Sequence, residues 1–286
     1  MSEITTIQAN GLEFGCLTAG PATGPLALLL HGFPDTPHSW RHLSSALAER
    51  GYRVAAPYMR GYAPTSPPAD GAYQTGALAA DANALHEALG GDDSAVLIGH
   101  DWGAAAVYGA LAAEPGRWRR AVTMALPPIN AMLESFFSYE QLKRSFYIFL
   151  FQTPLAEMAL DEGFVAGLWR DWSPGHDEDL SPVFAALGSP ENKAAAIGYY
   201  RAMLDPSRHL PRYAAAQEAA GAVGTVPLLY LHGADDGCLG VDVIGMDGGL
   251  MKHLPSGSRA EVIADAGHFL QVEQPAKVNG AVLDWL

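Results

Sequence analysis

Short apolar runs, broken by Gly and Pro and set between stretches with helical spacing, dominate the first 128 residues. Pro25 to Leu30 is an apolar run that stops at His31-Gly32 and reads as a buried strand. Trp40 to Arg50 has helical spacing and ends at Gly51. Tyr52 to Pro57 reads as a strand, and Tyr62 to Tyr73, rich in Pro, Ala and Gly, as a loop. Ala77 to Leu89 is an Ala- and Leu-rich helix closed by Gly90-Gly91. Ser94 to Ile98 is again a strand, followed by a glycine-flanked turn and an alanine-rich helix to about Ala113; Arg119 to Leu126 is the next strand. Strands alternating with helices imply an α/β chain with a mostly parallel central sheet flanked by helices.

The texture changes after Pro127-Pro128. From 129 to 224 the pattern is helical, with aromatic clusters such as SFYIFLFQ and GYYRAML and no clear strand. This segment reads as an inserted helical cap lobe over the sheet. The alternation resumes with strands at Val226 to Leu231 and Arg259 to Ile263 and a closing helix at Lys277 to Leu286. The expected division is therefore 1–128 and 225–286 for the core and 129–224 for the cap.

Composition adds limits. The 286 residues are 49% apolar and 17% charged, enough to bury a sizeable core. A formal charge of -14 repels nucleic acid and anionic membrane surfaces, so neither is expected as a partner. No apolar stretch has the length of a membrane span, and Met1 to Asn10 lacks the basic start and apolar run of a secretion signal. Cys16 and Cys238 lie far apart and read as two reduced thiols. The expected location is cytoplasmic; the oligomeric state is left open, a homo-oligomer included. No His, Cys or carboxylate cluster has metal-ligand spacing and no Gly-rich loop cradles phosphate, so no cofactor and no metal are expected.

Three short strings carry the chemistry. In SAVLIGHDWGAA a small residue stands two before and two after Asp101, between a strand and a helix. A sharp strand-to-helix turn needs small residues there, and it lifts the Asp101 side chain above the sheet at a helix N-terminus. His31-Gly32-Phe33-Pro34 follows the first buried strand, where a loop can supply one oxyanion-hole amide, that of Phe33; the residue after the nucleophile, Trp102, supplies the other. Downstream, PLLYLHGADDG ends in Asp235 and Asp236, and DAGHF places His268 on the loop after the last strand. The order is nucleophile, acid, histidine. His31, His100 and His232 read as structural, tied to loop backbone or packed beside the elbow.

These strings, HGFPDTPHSW, GHDWG, HGADDG and DAGHF, resemble those of the α/β-hydrolase fold family, and within it the soluble epoxide hydrolases, over nearly the whole chain. Counting from Gly233 as that family's acid turn does, the resemblance favours Asp236 over Asp235. It also identifies Tyr147, spaced from the Phe151-Gln152 pair, and Tyr200, in Tyr200-Arg201, as epoxide-activating phenols.

An aspartate suits attack on saturated carbon, because it forms an alkyl ester whose carbonyl belongs to the enzyme and which water can cleave. An epoxide oxygen leaves as an alkoxide and needs a proton donor such as tyrosine, whereas a halide needs N–H donors. The expected reaction is epoxide plus water to a vicinal diol, on a small apolar epoxide. Expected pocket walls are Phe33, Trp102, Phe146, Leu150, Phe151 and Met203. The alternatives are a haloalkane dehalogenase using the same Asp101, although Phe33 replaces the asparagine such enzymes commonly carry, and a catalytically inactive ligand-binding relative.

Overall fold

Eight strands form one sheet in the computed structural model, which describes residues 4–222, 224–245 and 249–286. The strands are β1 (Ile4–Ala9), β2 (Leu12–Ala19), β3 (Leu26–Leu30), β4 (Arg53–Pro57), β5 (Val96–His100), β6 (Arg120–Met124), β7 (Leu228–Gly233) and β8 (Arg259–Ile263). Their spatial order is β1-β2-β4-β3-β5-β6-β7-β8. From β4 to β8 every pairing is parallel, while the β1–β2 hairpin joins β4 antiparallel. Every residue of β3, β5 and β7 is buried, which is why they read as unbroken apolar runs.

The β1–β2 hairpin was not expected from the pattern. β1 sits at the sheet edge with most of its side chains exposed, so its sequence, ITTIQA, lacks the apolar continuity of a buried strand. The positive φ of Asn10 and Gly11 makes the turn between the two strands.

Helices cover both faces. On one face α1 (Arg41–Glu49) and the C-terminal helix Pro275–Trp285 pack through Leu43, Leu47, Val278, Val282 and Trp285. On the other lie α2 (Thr75–Ala88) and α3 (Trp102–Ala113), with Leu78, Leu85 and Val107 in the core. Between β6 and β7 the described residues contain helices and no strand: α4 (Ile129–Leu133), α5 (Tyr139–Arg144), α6 (Phe146–Leu150), α7 (Ala156–Ala159), α8 (Glu162–Trp172), α9 (Ser181–Ala186), α10 (Pro190–Leu204) and α11 (Ala214–Ala219). Position 223, near the end of the expected insertion, lies outside the described residues. The last of these helices returns to the core, where Gln217 Oε1 accepts from the Gly76 amide at 2.8 Å. No described helix is long and apolar enough to cross a membrane.

This topology fixes where a site can form. The chain leaves β3 for β4 on one side and then returns to β5 on the other, so the loops after β3 and β5 diverge and leave a crevice at the carboxyl edge. The loops after β6, β7 and β8 end at the same edge.

Candidate active site

At the end of β5 the backbone turns into α3 through Asp101, whose φ of 52° and ψ of -120° are unusual for a non-glycine residue. The strain is tolerated because the turn is locked on both sides. A Cβ on Gly99 would strike the Gly103 carbonyl, and a Cβ on Gly103 would strike the Leu30 carbonyl, so both neighbours must be glycine. Asp101 Oδ1 accepts the Phe33 amide at 2.8 Å, and the Trp102 amide also donates to the carboxylate. These two amides are the pair expected from the sequence. Burial pushes the Asp101 carboxyl above its ordinary value, against the opposing pull of His268 and the two amides.

His268 sits on the loop between β8 and helix Leu270–Glu273. Its Nδ1–H donates to Asp236 Oδ2 at 3.0 Å, and its Nε2 lies 3.8 Å from Asp101 Oδ2 with no hydrogen-bond partner among the described residues. Burial alone would depress the imidazole, but the charge and hydrogen bond of Asp236, with Asp101 beyond, hold it above its ordinary value. Asp236 is buried and its Oδ1 accepts from the Cys238 and Leu239 amides at 2.8 and 2.9 Å. Burial opposes its charge, yet His268 and these hydrogen bonds hold it below the ordinary carboxylate value. Asp235, its neighbour, is exposed and points elsewhere: its amide bonds to the Ala266 carbonyl and its carboxylate makes no bond to His268.

The helical segment supplies two phenols. Tyr147 on α6 and Tyr200 on α10 are each 3% exposed, with ring centroids 5.5 Å apart. Among the described residues Tyr147 Oη meets only the Cys238 thiol, at 3.5 Å, and Tyr200 Oη makes no well-aligned hydrogen bond, only a looser one with the Trp102 side chain. The residue pairs that marked them in the sequence interlock. Gln152 Nε2 donates to the Tyr200 carbonyl at 3.0 Å, and Arg201 Nε donates to the Phe151 carbonyl at 3.0 Å. Next door, Tyr199 Oη donates to the Arg60 carbonyl at 2.8 Å and pins α10 to the core.

A cavity of about 270 Å³ opens onto Asp101, Trp102, Tyr147, Tyr200 and His268. Of the expected walls, Trp102 and Met203 line it. The other four do not. Phe33 and Phe151 are fully buried behind the tyrosines, packing against Tyr200 at 5.3 and 5.2 Å between ring centroids. Phe146 is 49% exposed and packs against Phe164, and Leu150 lies on the same short helix away from the cavity. In α6 only the face bearing Tyr147 and Ile148 points inward, so the apolar residues around Tyr147 are mostly its support. Further apolar walls are Ile148, beside Tyr147 on α6, and Leu126, Met132, Phe136 and Leu239, which were not among the expected walls.

Contacts that sequence spacing does not show hold the site together. The Trp172 carbonyl, at the end of α8, accepts from both the Gly237 amide at 3.1 Å and the His268 amide at 2.9 Å, joining the acid turn to the histidine loop. Trp169 Nε1 donates to the Pro34 carbonyl at 2.8 Å while its ring stacks on Phe269 at 3.4 Å. The three bystander histidines have structural bonds: Met59 amide to His31 Nε2, His232 Nε2 to the Leu239 carbonyl, and His100 Nε2 to the His268 carbonyl, at 2.9, 2.9 and 2.8 Å. Both cysteines are buried and free, but Cys238 faces the cavity and stands with Asp236, two residues before it on the acid turn, and with His268 from the loop after β8.

The model of the alpha/beta hydrolase fold family matches residues 25–275. Epoxide hydrolase A of Mycobacterium tuberculosis is 31% identical, over 98% of this chain and 96% of its own. Epoxide hydrolase 4 of Mus musculus is 28% identical, over 98% of this chain and 78% of its own. The crystal structure of Epoxide Hydrolase A from Mycobacterium thermoresistibile aligns with a TM-score of 0.79 at 28% identity, covering 100% of this chain and 98% of that one.

Proposed function

The chain belongs to the α/β-hydrolase fold family, among the epoxide hydrolases, and on that premise we propose that it converts a small apolar epoxide and water to a vicinal diol through an alkyl ester on Asp101. The core, 1–128 and 225–286, supplies Asp101, Asp236, His268 and the amides of Phe33 and Trp102. The cap, 129–224, supplies Tyr147 and Tyr200.

In the first step an Asp101 carboxylate oxygen attacks an epoxide carbon and the ring C–O bond breaks. The departing oxygen takes a proton from one phenol and a hydrogen bond from the other, leaving a hydroxy-alkyl ester and a tyrosinate. In the second, His268 Nε2 removes a proton from water, whose oxygen attacks the ester carbonyl carbon. The Phe33 and Trp102 amides hold the resulting oxyanion. Collapse breaks the bond between the former carbonyl carbon and the alkoxy oxygen, and the imidazolium returns its proton to that departing oxygen. The Asp101 carboxylic acid then reprotonates the tyrosinate, and the cycle closes.

The observation that carries this reading is the pair of phenols that open onto the nucleophile's cavity with their hydrogen-bonding capacity almost unspent. A buried polar group left unpaired costs about 1–3 kcal/mol, and an epoxide oxygen held between the two hydroxyls removes that cost as charge develops on it. A halide is too weak a base to take a proton from a phenol, whereas a departing alkoxide takes one readily.

The test is a single turnover of a generic terminal epoxide in heavy-oxygen water, beside a haloalkane and an aryl ester. The expected diol carries only unlabelled oxygen from Asp101. Label in the first-turnover diol means that water attacks the epoxide directly. Turnover of the haloalkane alone overturns the reading in favour of dehalogenation.

A further inference from the structure

The acid turn after β7 does more than present Asp236. Oδ1 of Asp236 is fixed by the amides of Cys238 and Leu239, a tight bend that keeps Cys238 beside the carboxylate whose Oδ2 accepts from His268. There one ligand atom each from Asp236, Cys238 and His268 lies within 4.8 Å of the other two, and all three residues are buried. The thiol borders the cavity, so an ion has a route in, and among the described residues its hydrogen-bond partner is the Tyr147 hydroxyl at 3.5 Å, a weak bond to displace. A thiolate, an imidazole and a carboxylate are the donors that zinc and its softer congener cadmium prefer, at bond lengths of about 2.0–2.3 Å. Tetrahedral donors at such bonds stand about 3.2–3.7 Å apart, so closure of the cluster takes side-chain adjustments of about 1 Å.

We propose that Asp236, Cys238 and His268 form an inhibitory site for a soft divalent cation of the zinc and cadmium class. Coordination breaks the Cys238 S–H bond, the proton leaves to solvent, and a metal–sulfur bond forms. The ion also takes Asp236 Oδ2 and His268 Nδ1, the atoms that now share a hydrogen bond at 3.0 Å. The Nδ1 proton moves to Nε2. His268 then presents an N–H instead of a lone pair toward Asp101, so it cannot take a proton from water. The two anionic ligands neutralise the dication, which makes the buried complex tolerable. The inhibition rests on the reaction proposed above, but the binding does not.

The experiment is a titration of the metal-free full chain with cadmium chloride, following the ultraviolet thiolate-to-cadmium charge-transfer band and diol formation together. One ion per chain is expected, with turnover lost in step with the band and both effects reversed by EDTA. In Cys238→Ser the band disappears, and half-inhibition, relative to that variant's own metal-free rate, needs at least about 10-fold more cadmium. Cys16→Ala, whose thiol lies in β2 away from the cavity, keeps the band. A melting curve confirms that each variant is folded, and Cys238→Ala replaces the serine variant if that one is not. Inhibition without the band, a band that survives in Cys238→Ser, or a saturated band with undiminished turnover each overturns the proposal. A chain that turns over no epoxide defeats the proposed reaction instead, and the band with its loss in Cys238→Ser still decides the cation site.

Discussion

Nε2 of His268 and Oδ2 of Asp101 stand 3.8 Å apart, and Nε2 has no hydrogen-bond partner among the described residues. A direct hydrogen bond would be about 1 Å shorter and would leave the imidazole paired with the nucleophile. The wider separation lets the carboxylate attack without first breaking a bond to the histidine, and it leaves the imidazole lone pair for water once the ester exists. The histidine thus belongs to the second step. His268→Gln should become alkylated and stay so. Intact-mass analysis after mixing with substrate should show the protein plus one substrate mass, while the parent returns to its free mass. An unmodified variant would mean that His268 is needed for attack itself.

Asp236 and Asp235 are adjacent yet differ in every relevant contact. Only Asp236 accepts from His268 Nδ1, at 3.0 Å, and Asp235 is exposed. Asp236→Asn should lower turnover by about 10³–10⁴-fold by losing imidazolium stabilisation and admitting the wrong tautomer. Asp235→Asn should stay near the parental rate. Steady-state rates of the two variants decide, and the reverse ranking would transfer the role to Asp235.

For the phenols, Tyr147→Phe and Tyr200→Phe should each slow ester formation by about 10²-fold or more, and the double variant by more still. Hydrolysis of the preformed ester should change little in the single variants, because it draws on His268 and the two amides. Stopped-flow tryptophan fluorescence, with Trp102 adjoining Asp101, separates the steps. Parental alkylation in the double variant would reduce the tyrosines to packing residues.

The pH response follows from two raised groups. Asp101 must be ionised for the first step, and burial raises its pKa, so alkylation falls in acid. His268 must be neutral for the second, and Asp236 together with Asp101 raises it, so hydrolysis falls earlier as pH drops. Lowering the pH from neutrality should therefore increase the fraction of enzyme held as ester during turnover. Esterification removes the Asp101 charge, so the limb for ester hydrolysis should lie at lower pH than the His268 titration of the free enzyme. Quench-flow mass analysis across pH reads the first effect, and histidine NMR of the free enzyme supplies the comparison. A fraction of ester independent of pH would break this assignment. The His268 charge pair has a stability consequence of its own. Since its folded pKa is raised, that contribution is complete below the unfolded value and is lost as pH rises through the folded one.

A methyl group at Gly32 would fall on the Asp101 carboxylate. Gly32→Ala should therefore displace the side chain or close off Oδ1, with loss of nearly all alkylation. The thermal transition should remain cooperative, because the damage is confined to a loop end. Full activity would show that the loop after β3 can move away, against the close approach seen here.

The strands that cross the core were legible because burial on both faces demands continuous apolar runs, as in LALLL and VLIGH. The elbow was legible because its steric needs are local: Gly99 and Gly103 flank Asp101 within one turn. The β1–β2 hairpin was missed because an edge strand buries little and leaves almost no periodic mark. The four misplaced walls, Phe33, Phe146, Leu150 and Phe151, show the limit of composition. An apolar side chain near a functional tyrosine can line the cavity or support the tyrosine, and only the packing of α6 against α10 decides which. The clamp of Trp172 on both loops, and the meeting of the Asp236–Cys238 turn with His268, depend on chain segments brought together across the fold. Sequence periodicity reports the burial of each element along its own axis. It carries no distance between elements, and the distances that make this site were set by tertiary packing alone.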